Sequence, residues 1–320
     1  MAKTQPNPHG TETGTALGIV AVLLWGSTVA FGRSLAAQLG PLHAAAAVYL
    51  LCGALSLAYL AWKPSRLKRA LRLSPRYLIL CGGLFVGYVV CFYLALGIAS
   101  GSRQAIEVGV INYLWPAATV VLSVPLLGTR ARWTLVPGVA LALSGIVLAT
   151  LPARNWNAGS FAGSLHRDWL PYLLALVAAL DWALYSNLSR RWAAGGGASA
   201  VPVFMVATAL VMGLLASLQP PVEVRWSART VIELGYLGIF PTALGYAFWE
   251  VAMRRGNLLR VATASYFTPL ISVVVAALYL HALPPPGLWL GCGLVIAGAW
   301  LCQLSVREEP RRQDSDVRRV

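Results

Sequence analysis

The sequence predicts an all-α membrane protein with ten transmembrane helices, arranged as two inverted five-helix repeats around a central cavity. Three observations predict this fold class: an apolar composition, basic residues that alternate between loops, and a match between the two halves of the chain. Hydrophobic residues make up 58% of the 320 positions and charged residues 11%, whereas an ordinary soluble domain carries about 25% charged residues. A soluble fold could not bury so much apolar sequence.

The apolar residues are concentrated in ten segments that are long enough to cross a bilayer. Inside the membrane each segment must be a helix, because every backbone polar group needs a partner within its own segment. The first is expected to be retained rather than cleaved as a signal peptide, because it is long and has Trp25 and Gly26 near its middle. The predicted spans, numbered in chain order, cover residues 15–32, 42–62, 77–99, 104–127, 133–151, 169–188, 201–218, 231–252, 258–280 and 287–304.

Basic residues mark one side of the membrane. With the N-terminus placed in the cytoplasm, the segments on that side hold 19 of the 25 lysines and arginines, and the outer segments hold six. This asymmetry follows the positive-inside rule and is lost if any one span is removed. Both termini are therefore predicted to be cytoplasmic. The same distribution explains the net charge of +14 without a nucleic-acid partner, for which the sequence has no motif.

The two halves of the chain resemble each other. Shifting the sequence by 153 residues aligns Tyr113 with Tyr266, Pro116 with Pro269, and several glycines with glycines. Each half has five spans, and because five is odd the second half enters the membrane from the opposite side. Inverted repeats of this kind are typical of secondary transporters, whose substrate site lies between the repeats near the middle of the membrane.

The chain is predicted to divide into five parts. A cytoplasmic N-terminal tail precedes the first repeat, a periplasmic linker joins the repeats, and a cytoplasmic tail without periodicity ends the chain. The predicted bounds are 1–14 for the first tail, 15–152 for the first repeat, 153–168 for the linker, 169–305 for the second repeat and 306–320 for the last tail.

The aligned prolines predict where the transport site lies. Pro116 and Pro269 fall in the middle of spans 4 and 9, where a proline removes a helix hydrogen bond and favours a kink or break. Broken helices at matched positions of two repeats are a strong sequence pointer to a transport site. We therefore predict that both prolines act as hinges or helix breaks.

Tyrosine and tryptophan residues lie inside the spans as well as at the membrane edges where they usually concentrate. A buried tyrosine or tryptophan needs a partner for its O–H or N–H group, and a cavity for an aromatic ligand would use such groups; ordinary helix packing is the alternative for any one of them. Asn112 could bond the polar end of a substrate. The predicted substrate-binding residues are Trp25, Tyr88, Tyr93, Asn112, Tyr113, Trp115, Trp182, Tyr185, Tyr246, Trp249 and Tyr266.

Burial of a charge within a span is costly, so the carboxylates inside the predicted spans are candidates for a role in transport. Asp181 and Glu107 are the deep candidates, whereas Glu250 lies near the inner end of span 8, close to Arg254, where an ion pair is favoured. Asp181 lies near the middle of span 6, and Glu107 lies on the outer side of span 4, four residues after Arg103. Each could carry protons during transport or be structural, and the Arg103 spacing favours an ion pair for Glu107. The five cysteines and four histidines lack metal-ligand spacing, and no phosphate-binding loop for ATP is present. We expect no metal and no cofactor.

The motifs resemble those of the drug/metabolite transporter superfamily of the ten-helix EamA type. Residues 24–28, Leu-Trp-Gly-Ser-Thr, resemble its opening signature, and the glycines of spans 5 and 10 resemble its closing helices. Within that family, residues 104–116, 245–257 and 265–269 resemble the exporters of aromatic amino acids. Thr129 and Ala282 stand where many relatives have a glutamate, so no role of that residue is carried over.

This resemblance implies export of aromatic and related neutral amino acids from a bacterial cytoplasm across the inner membrane, by a chain that is expected to be monomeric. Two other functions stay open from the sequence. One is a broad-specificity exporter of drugs or metabolites in the same superfamily. The other is a membrane-embedded enzyme acting on lipid, which the few, dispersed carboxylates do not favour. Transport could be coupled to protons or driven by the substrate gradient alone.

Overall fold

The computed structural model describes residues 8–150, 169–192, 199–219, 226–255 and 258–307. Within these residues, seven helices are long and apolar enough to cross a membrane, and three more apolar helices are shorter. Together they correspond to the ten predicted spans, so the prediction of an all-α membrane protein is confirmed. The predicted linker at 153–168 lies outside the described residues.

The first half of the chain contains spans 1 to 5. The N-terminal helix begins at Pro8, so it starts within the region predicted to be a tail. Span 1 consists of α1 (Pro8–Gly26) and α2 (Thr28–Leu39), and span 2 is α3 (Pro41–Trp62), which a short helix α4 (Pro64–Leu71) follows. Span 3 consists of a π-helical segment, called a wide turn below (Tyr77–Cys81), and α5 (Gly82–Ile98). Span 4 consists of α6 (Ser102–Asn112) and α7 (Trp115–Leu127), and span 5 is α8 (Leu135–Thr150).

The second half contains spans 6 to 10. Span 6 is α9 (Leu170–Trp192), and span 7 is α10 (Val201–Ser217). Span 8 consists of three parts: α11 (Ala228–Leu237), a wide turn (Gly238–Leu244) and α12 (Gly245–Arg255). Span 9 consists of α13 (Leu258–Ser265) and α14 (Thr268–Tyr279), and span 10 is α15 (Pro286–Leu304).

Spans 4 and 9 break where the aligned Tyr and Pro residues predict. In each, a tyrosine follows the first helix and the proline is the second residue of the next helix. Proline fits there because its missing N–H would have no intrahelical partner in the first turn. Span 1 has a further break at Ser27, whose hydroxyl donates to the Leu24 carbonyl oxygen at 2.7 Å. The sequence did not predict this third break.

Spans 5 and 10 pack tightly because glycines line their contact. A Cβ atom on Gly145 would lie 2.6 Å from the Gly291 carbonyl oxygen, and one on Gly138 would lie 2.9 Å from the Cys302 amide nitrogen. Small residues let membrane helices approach this closely, and van der Waals packing then holds them together.

The residues directly after span 10 form a short strand. A two-residue strand β1 (Arg130–Ala131), between spans 4 and 5, pairs antiparallel with β2 (Val306–Arg307) after span 10. Val306 and Arg307 were predicted to belong to an irregular tail, and the backbone bonds to β1 explain the difference. The pairing brings both segments to the same end of the bundle, as six crossings between them require.

Candidate functional site

A cavity lies between the two halves of the bundle. It is lined almost entirely by aromatic and small polar side chains from spans 1, 2, 3, 4, 6, 8 and 9. The lining residues are Trp25, Thr28, Tyr49, Tyr88, Val89, Phe92, Tyr93, Asn112, Tyr113, Trp115, Trp182, Pro241, Thr242, Tyr246 and Thr268.

The cavity lies where four spans depart from regular helix. Thr28 begins α2 after the break in span 1, and Thr268 begins α14 after the break in span 9. Tyr113 is in the break of span 4, and Pro241 lies in the wide turn of span 8. Irregular backbone inside a membrane is tolerated only where it is buried in protein or lines a cavity. The breaks therefore supply polar groups to this cavity.

Trp182 lies at the centre of the aromatic wall. Its ring centroid is 5.0 Å from that of Tyr88, 5.8 Å from Tyr246, and 6.3 Å from both Trp25 and Trp115. These separations fall in the range in which aromatic rings attract one another edge to face or tilted. The rings come from five different spans, so the wall depends on how the helices pack against one another.

Two polar contacts orient the lining. The Trp25 indole Nε1 donates to the Pro241 carbonyl oxygen at 3.0 Å, in the wide turn of span 8. Asn112 is 4% exposed, and its amide forms a hydrogen bond with the Tyr88 hydroxyl. Its Oδ1 atom has no hydrogen-bond partner among the residues that the structure describes. A buried acceptor without a partner is energetically costly, so this atom is available to a donor on a ligand.

The lining carries no Asp, Glu, Lys or Arg side chain within the described part of the chain. Such a cavity has no fixed charge to balance a net charge on a ligand. A zwitterion brings both charges with it, and its ammonium group can donate to a neutral acceptor such as the Asn112 Oδ1 atom. The chemistry of the lining therefore suits an aromatic ring with a compact polar end.

Eight of the eleven predicted substrate-binding residues line the cavity. The other three are outside the lining. Tyr185 packs behind Trp182 and against Phe85, and the ring centroids of Tyr185 and Phe85 are 5.5 Å apart. Trp249 packs on Trp25 with ring centroids 5.1 Å apart. Tyr266 belongs to a separate apolar cluster with Leu114 and Cys302. Sequence alignment paired Tyr266 with Tyr113, but only Tyr113 lines the cavity; from the break of span 9 it is Thr268 that lines the cavity, while Tyr266 packs beside Leu114.

Several lining residues were not predicted. Thr28, Thr242 and Thr268 are small polar residues next to helix breaks, and Tyr49, Val89 and Phe92 lie on regular helices. The threonines could have been found from the prolines and the Gly-Ser pair near them. The residues on regular helices have no such signal, since their position depends on the rotation of each helix.

Of the two predicted carboxylates, Glu107 is paired and Asp181 is not part of the cavity. The Arg103 Nε atom donates to Glu107 at 2.9 Å, and the Tyr172 hydroxyl donates to its other oxygen at 2.5 Å. Asp181 is half-buried at the seam between spans 3 and 6. A Cβ atom on Gly87 would lie 2.8 Å from its Oδ2 atom, so this glycine makes room for the carboxylate.

A third carboxylate, Glu233, is more deeply buried than either and was not predicted. It is 1% exposed and accepts hydrogen bonds from Arg229, Tyr279, Ser34 and Gln38 at 2.5 to 2.9 Å. Ser34 and Gln38 come from α2, whereas the other residues come from α11 and α14. The predicted span 8 begins at residue 231, so Glu233 lies at the outer edge of that span, where the sequence gives no sign of its burial.

Comparison with known proteins identifies the family. The model of the EamA-like transporter family matches residues 12–151 and again residues 169–303. The chain is 33% identical to the aromatic amino acid exporter YddG of Salmonella typhimurium, over 93% of this chain and 99% of that protein. It is 32% identical to YddG of Escherichia coli, over 92% and 98%.

More distant relatives and a solved structure agree. The threonine/homoserine exporter RhtA of Escherichia coli is 28% identical over 94% of this chain and 96% of that protein. A crystal structure superposes with a TM-score of 0.64 at 30% identity, covering 92% of this chain and 97% of the other. The family predicted from the sequence motifs is thereby confirmed: the chain belongs to the EamA-like transporter family.

Proposed function

We propose that this transporter exports aromatic amino acids, and related neutral amino acids, from the cytoplasm by alternating access between two five-helix repeats. The observation that carries the proposal is the uncharged aromatic cavity with a free Asn112 oxygen, located where four spans are irregular. The names of the YddG and RhtA relatives support an amino acid as the substrate.

The aromatic wall accounts for a preference for ring-bearing substrates. A substrate ring entering the cavity replaces some of the contacts that Trp25, Trp115 and Trp182 make with one another, and its burial is favourable. The substrate ammonium group would donate to Asn112 Oδ1. The threonine hydroxyls and the first amide groups of α14 would be the partners of the carboxylate, because a helix N-terminus attracts negative charge.

Rocking of the repeats would expose the cavity to each side in turn. Pro116 and Pro269 are the proposed hinges, since each stands at a break that divides a span into two helices. We place the protein in the bacterial inner membrane with both termini in the cytoplasm, which the distribution of basic residues supports. We further propose that it works as a monomer.

We also propose that transport is driven by the substrate gradient, on the basis of the positions of the carboxylates. Glu107 and Glu233 already accept bonds from arginine and tyrosine, and Asp181 lies at the seam with span 3. A cavity without a carboxylate favours transport driven by the substrate gradient alone. Phenylalanine uptake into liposomes should then proceed at the same rate with and without a pH gradient, and a rate that follows the gradient would show coupling to protons.

Substitution of the cavity tryptophan tests the site. We expect Trp115→Ala to lower phenylalanine transport in liposomes about tenfold, because it removes aromatic contacts from the wall. Trp133→Ala is the matched control: Trp133 is 81% exposed and far from the lining, so its loss should leave the rate unchanged. Equal rates for the two variants would refute the site.

Competition tests the alternative of a broad-specificity exporter. Phenylalanine uptake should be inhibited strongly by unlabelled tryptophan and weakly by threonine, since threonine cannot fill an aromatic wall. Inhibition by chemically unrelated drugs at similar concentrations would instead favour the broad-specificity function. The relatives that are named as exporters of threonine and of other amino acids make this comparison informative.

A further inference from the structure

The connection between spans 2 and 3 contains an unusual concentration of positive charge. Lys63, Arg66, Lys68, Arg69, Arg72 and Arg76 form what we call the basic patch, and all six side chains are exposed. The sequence has no acidic residue between Glu12 and Glu107. No acidic residue is therefore adjacent to the patch in sequence, and the ion pairs Arg103–Glu107 and Arg229–Glu233 lie on other helices.

Three residues of the basic patch, Arg66, Lys68 and Arg69, lie on an ordered helix, and Lys63 and Arg72 flank it. Pro64 begins α4, which ends at Leu71, and both Lys68 and Arg69 lie in its last turn. Cations in the last turn are favourable because the C-terminal end of a helix carries partial negative charge. The Arg69 Nε atom also donates to the Ser65 carbonyl oxygen at 3.3 Å. The charges are thus presented from a defined surface rather than from a flexible loop.

The helix α4 is amphipathic. At 100° per residue, Arg66, Lys68 and Arg69 fall on one side, and Leu67, Ala70 and Leu71 fall on the other. Ala70 is fully buried and Leu67 is half-buried against the bundle, whereas Leu71 is 57% exposed. A helix with basic residues on one side and apolar residues on the other is suited to the plane of a membrane interface.

The position of α4 places it at that interface. It follows directly after span 2, whose last residue, Trp62, is 77% exposed and carries the Lys63 ammonium group 4.7 Å above its ring. Tryptophan beside a basic residue at the end of a span typically marks the headgroup level. The exposed Leu71 and Ile79 would face lipid at the same depth.

We propose that the basic patch binds the phosphate groups of anionic phospholipids in the bilayer. The positive-inside rule explains why basic residues lie on this side, but it does not require an ordered amphipathic helix or six charges in 14 positions. Clusters of four to eight lysines and arginines next to a span are typical of anionic lipid recognition. This inference is independent of the transported substrate.

Native mass spectrometry of the detergent-purified chain tests the proposal. The protein is mixed with equal amounts of phosphatidylglycerol and phosphatidylcholine, and the bound lipids are counted. The unchanged chain should retain phosphatidylglycerol preferentially. The triple variant Arg66→Gln, Lys68→Gln, Arg69→Gln should bind phosphatidylglycerol on the order of a hundredfold more weakly. Each basic residue near an anionic headgroup strengthens binding by roughly fivefold, and three such factors multiply.

Two further variants separate this effect from net charge and from misfolding. Arg311→Gln, Arg312→Gln, Arg318→Gln removes the same charge from the C-terminal tail and should leave phosphatidylglycerol binding intact. Arg66→Lys with Arg69→Lys keeps the charge of α4 and should also bind normally. The proposal is overturned if the α4 glutamine variant binds as the unchanged chain does, if the tail variant loses as much lipid, or if the lysine variant loses binding.

Discussion

Two ion pairs with the same local sequence pattern differ in their surroundings. Arg103–Glu107 and Arg229–Glu233 each place an arginine four residues before a glutamate at the start of a helix, and each glutamate accepts a tyrosine hydroxyl at 2.5 Å. Glu233 additionally accepts bonds from Ser34 and Gln38 of α2. Both clusters lie at the same end of the bundle, which is the predicted outer side.

The difference shows what fixes a buried carboxylate in a membrane protein. A pair of charges removed from water loses hydration that mutual attraction alone does not restore, so the remaining lone pairs need further donors. Around Glu233, donors from three helices meet this need, and the side chain is 1% exposed. The Glu233 cluster therefore joins α2 of the first half to α11 and α14 of the second, and its loss should be more damaging.

The largest expected effect comes from removing each carboxylate. Glu233→Ala leaves several buried donors unpaired and should cost about 3–5 kcal/mol of stability. Glu107→Ala leaves fewer, and should cost about 2 kcal/mol. The measurement is the temperature at which half of the detergent-solubilised protein loses its monodisperse elution. Glu12→Ala, at an exposed position, is the control and should change little. Equal losses for both glutamates would remove the distinction between the clusters.

Loss of a tyrosine hydroxyl should destabilise the protein more at Glu107 than at Glu233, which is the opposite of the order expected for loss of the carboxylates. After Tyr172→Phe, Glu107 retains its bond from Arg103, whereas after Tyr279→Phe, Glu233 retains Ser34, Gln38 and Arg229. We expect losses of about 1.5 kcal/mol for Tyr172→Phe and about 1 kcal/mol for Tyr279→Phe, by the same thermal measurement. A larger loss for Tyr279→Phe would mean that the extra donors around Glu233 do not compensate for one another.

The smallest expected effect tests the link between the two halves. The Ser34 hydroxyl donates to Glu233 at 2.9 Å and accepts from Arg229 at 3.0 Å, so Ser34→Ala should cost about 1 kcal/mol. Ser144→Ala is the matched control, because its exposed hydroxyl donates to the Ala140 carbonyl oxygen of its own helix. Indistinguishable melting of the two variants would show that α2 is held by packing rather than by this bond.

The family and the spans could be predicted from the sequence because each depends on local properties. The partition of an apolar segment between water and lipid acts on that segment alone, and the basic residues of each loop act on its nearest spans. The breaks at Tyr113 and Tyr266 were predicted for the same reason, since proline acts on its own helix.

The cavity lining could be predicted only in part. Trp25, Trp115 and Trp182 were recognised because tryptophan is unusual within a span. Phe92 and Val89 were not, because nothing in the sequence shows which way a regular apolar helix is rotated. Tyr266 is the converse case, a residue predicted to line the cavity that does not. It aligns with Tyr113 in the sequence, yet it packs in a separate cluster.

The sequence by itself determined that ten helices cross a membrane and that the two halves of the chain are related. It also determined that spans 4 and 9 are interrupted where a tyrosine precedes a proline by three positions. The tertiary structure decided which rings face the cavity, that the Asn112 oxygen has no partner within the described part of the chain, and that Glu233 is enclosed by donors from three helices. The physical reason is that hydrophobicity, charge and proline act within a segment, whereas aromatic contacts and side-chain hydrogen bonds depend on the rotation and depth of helices far apart in the chain.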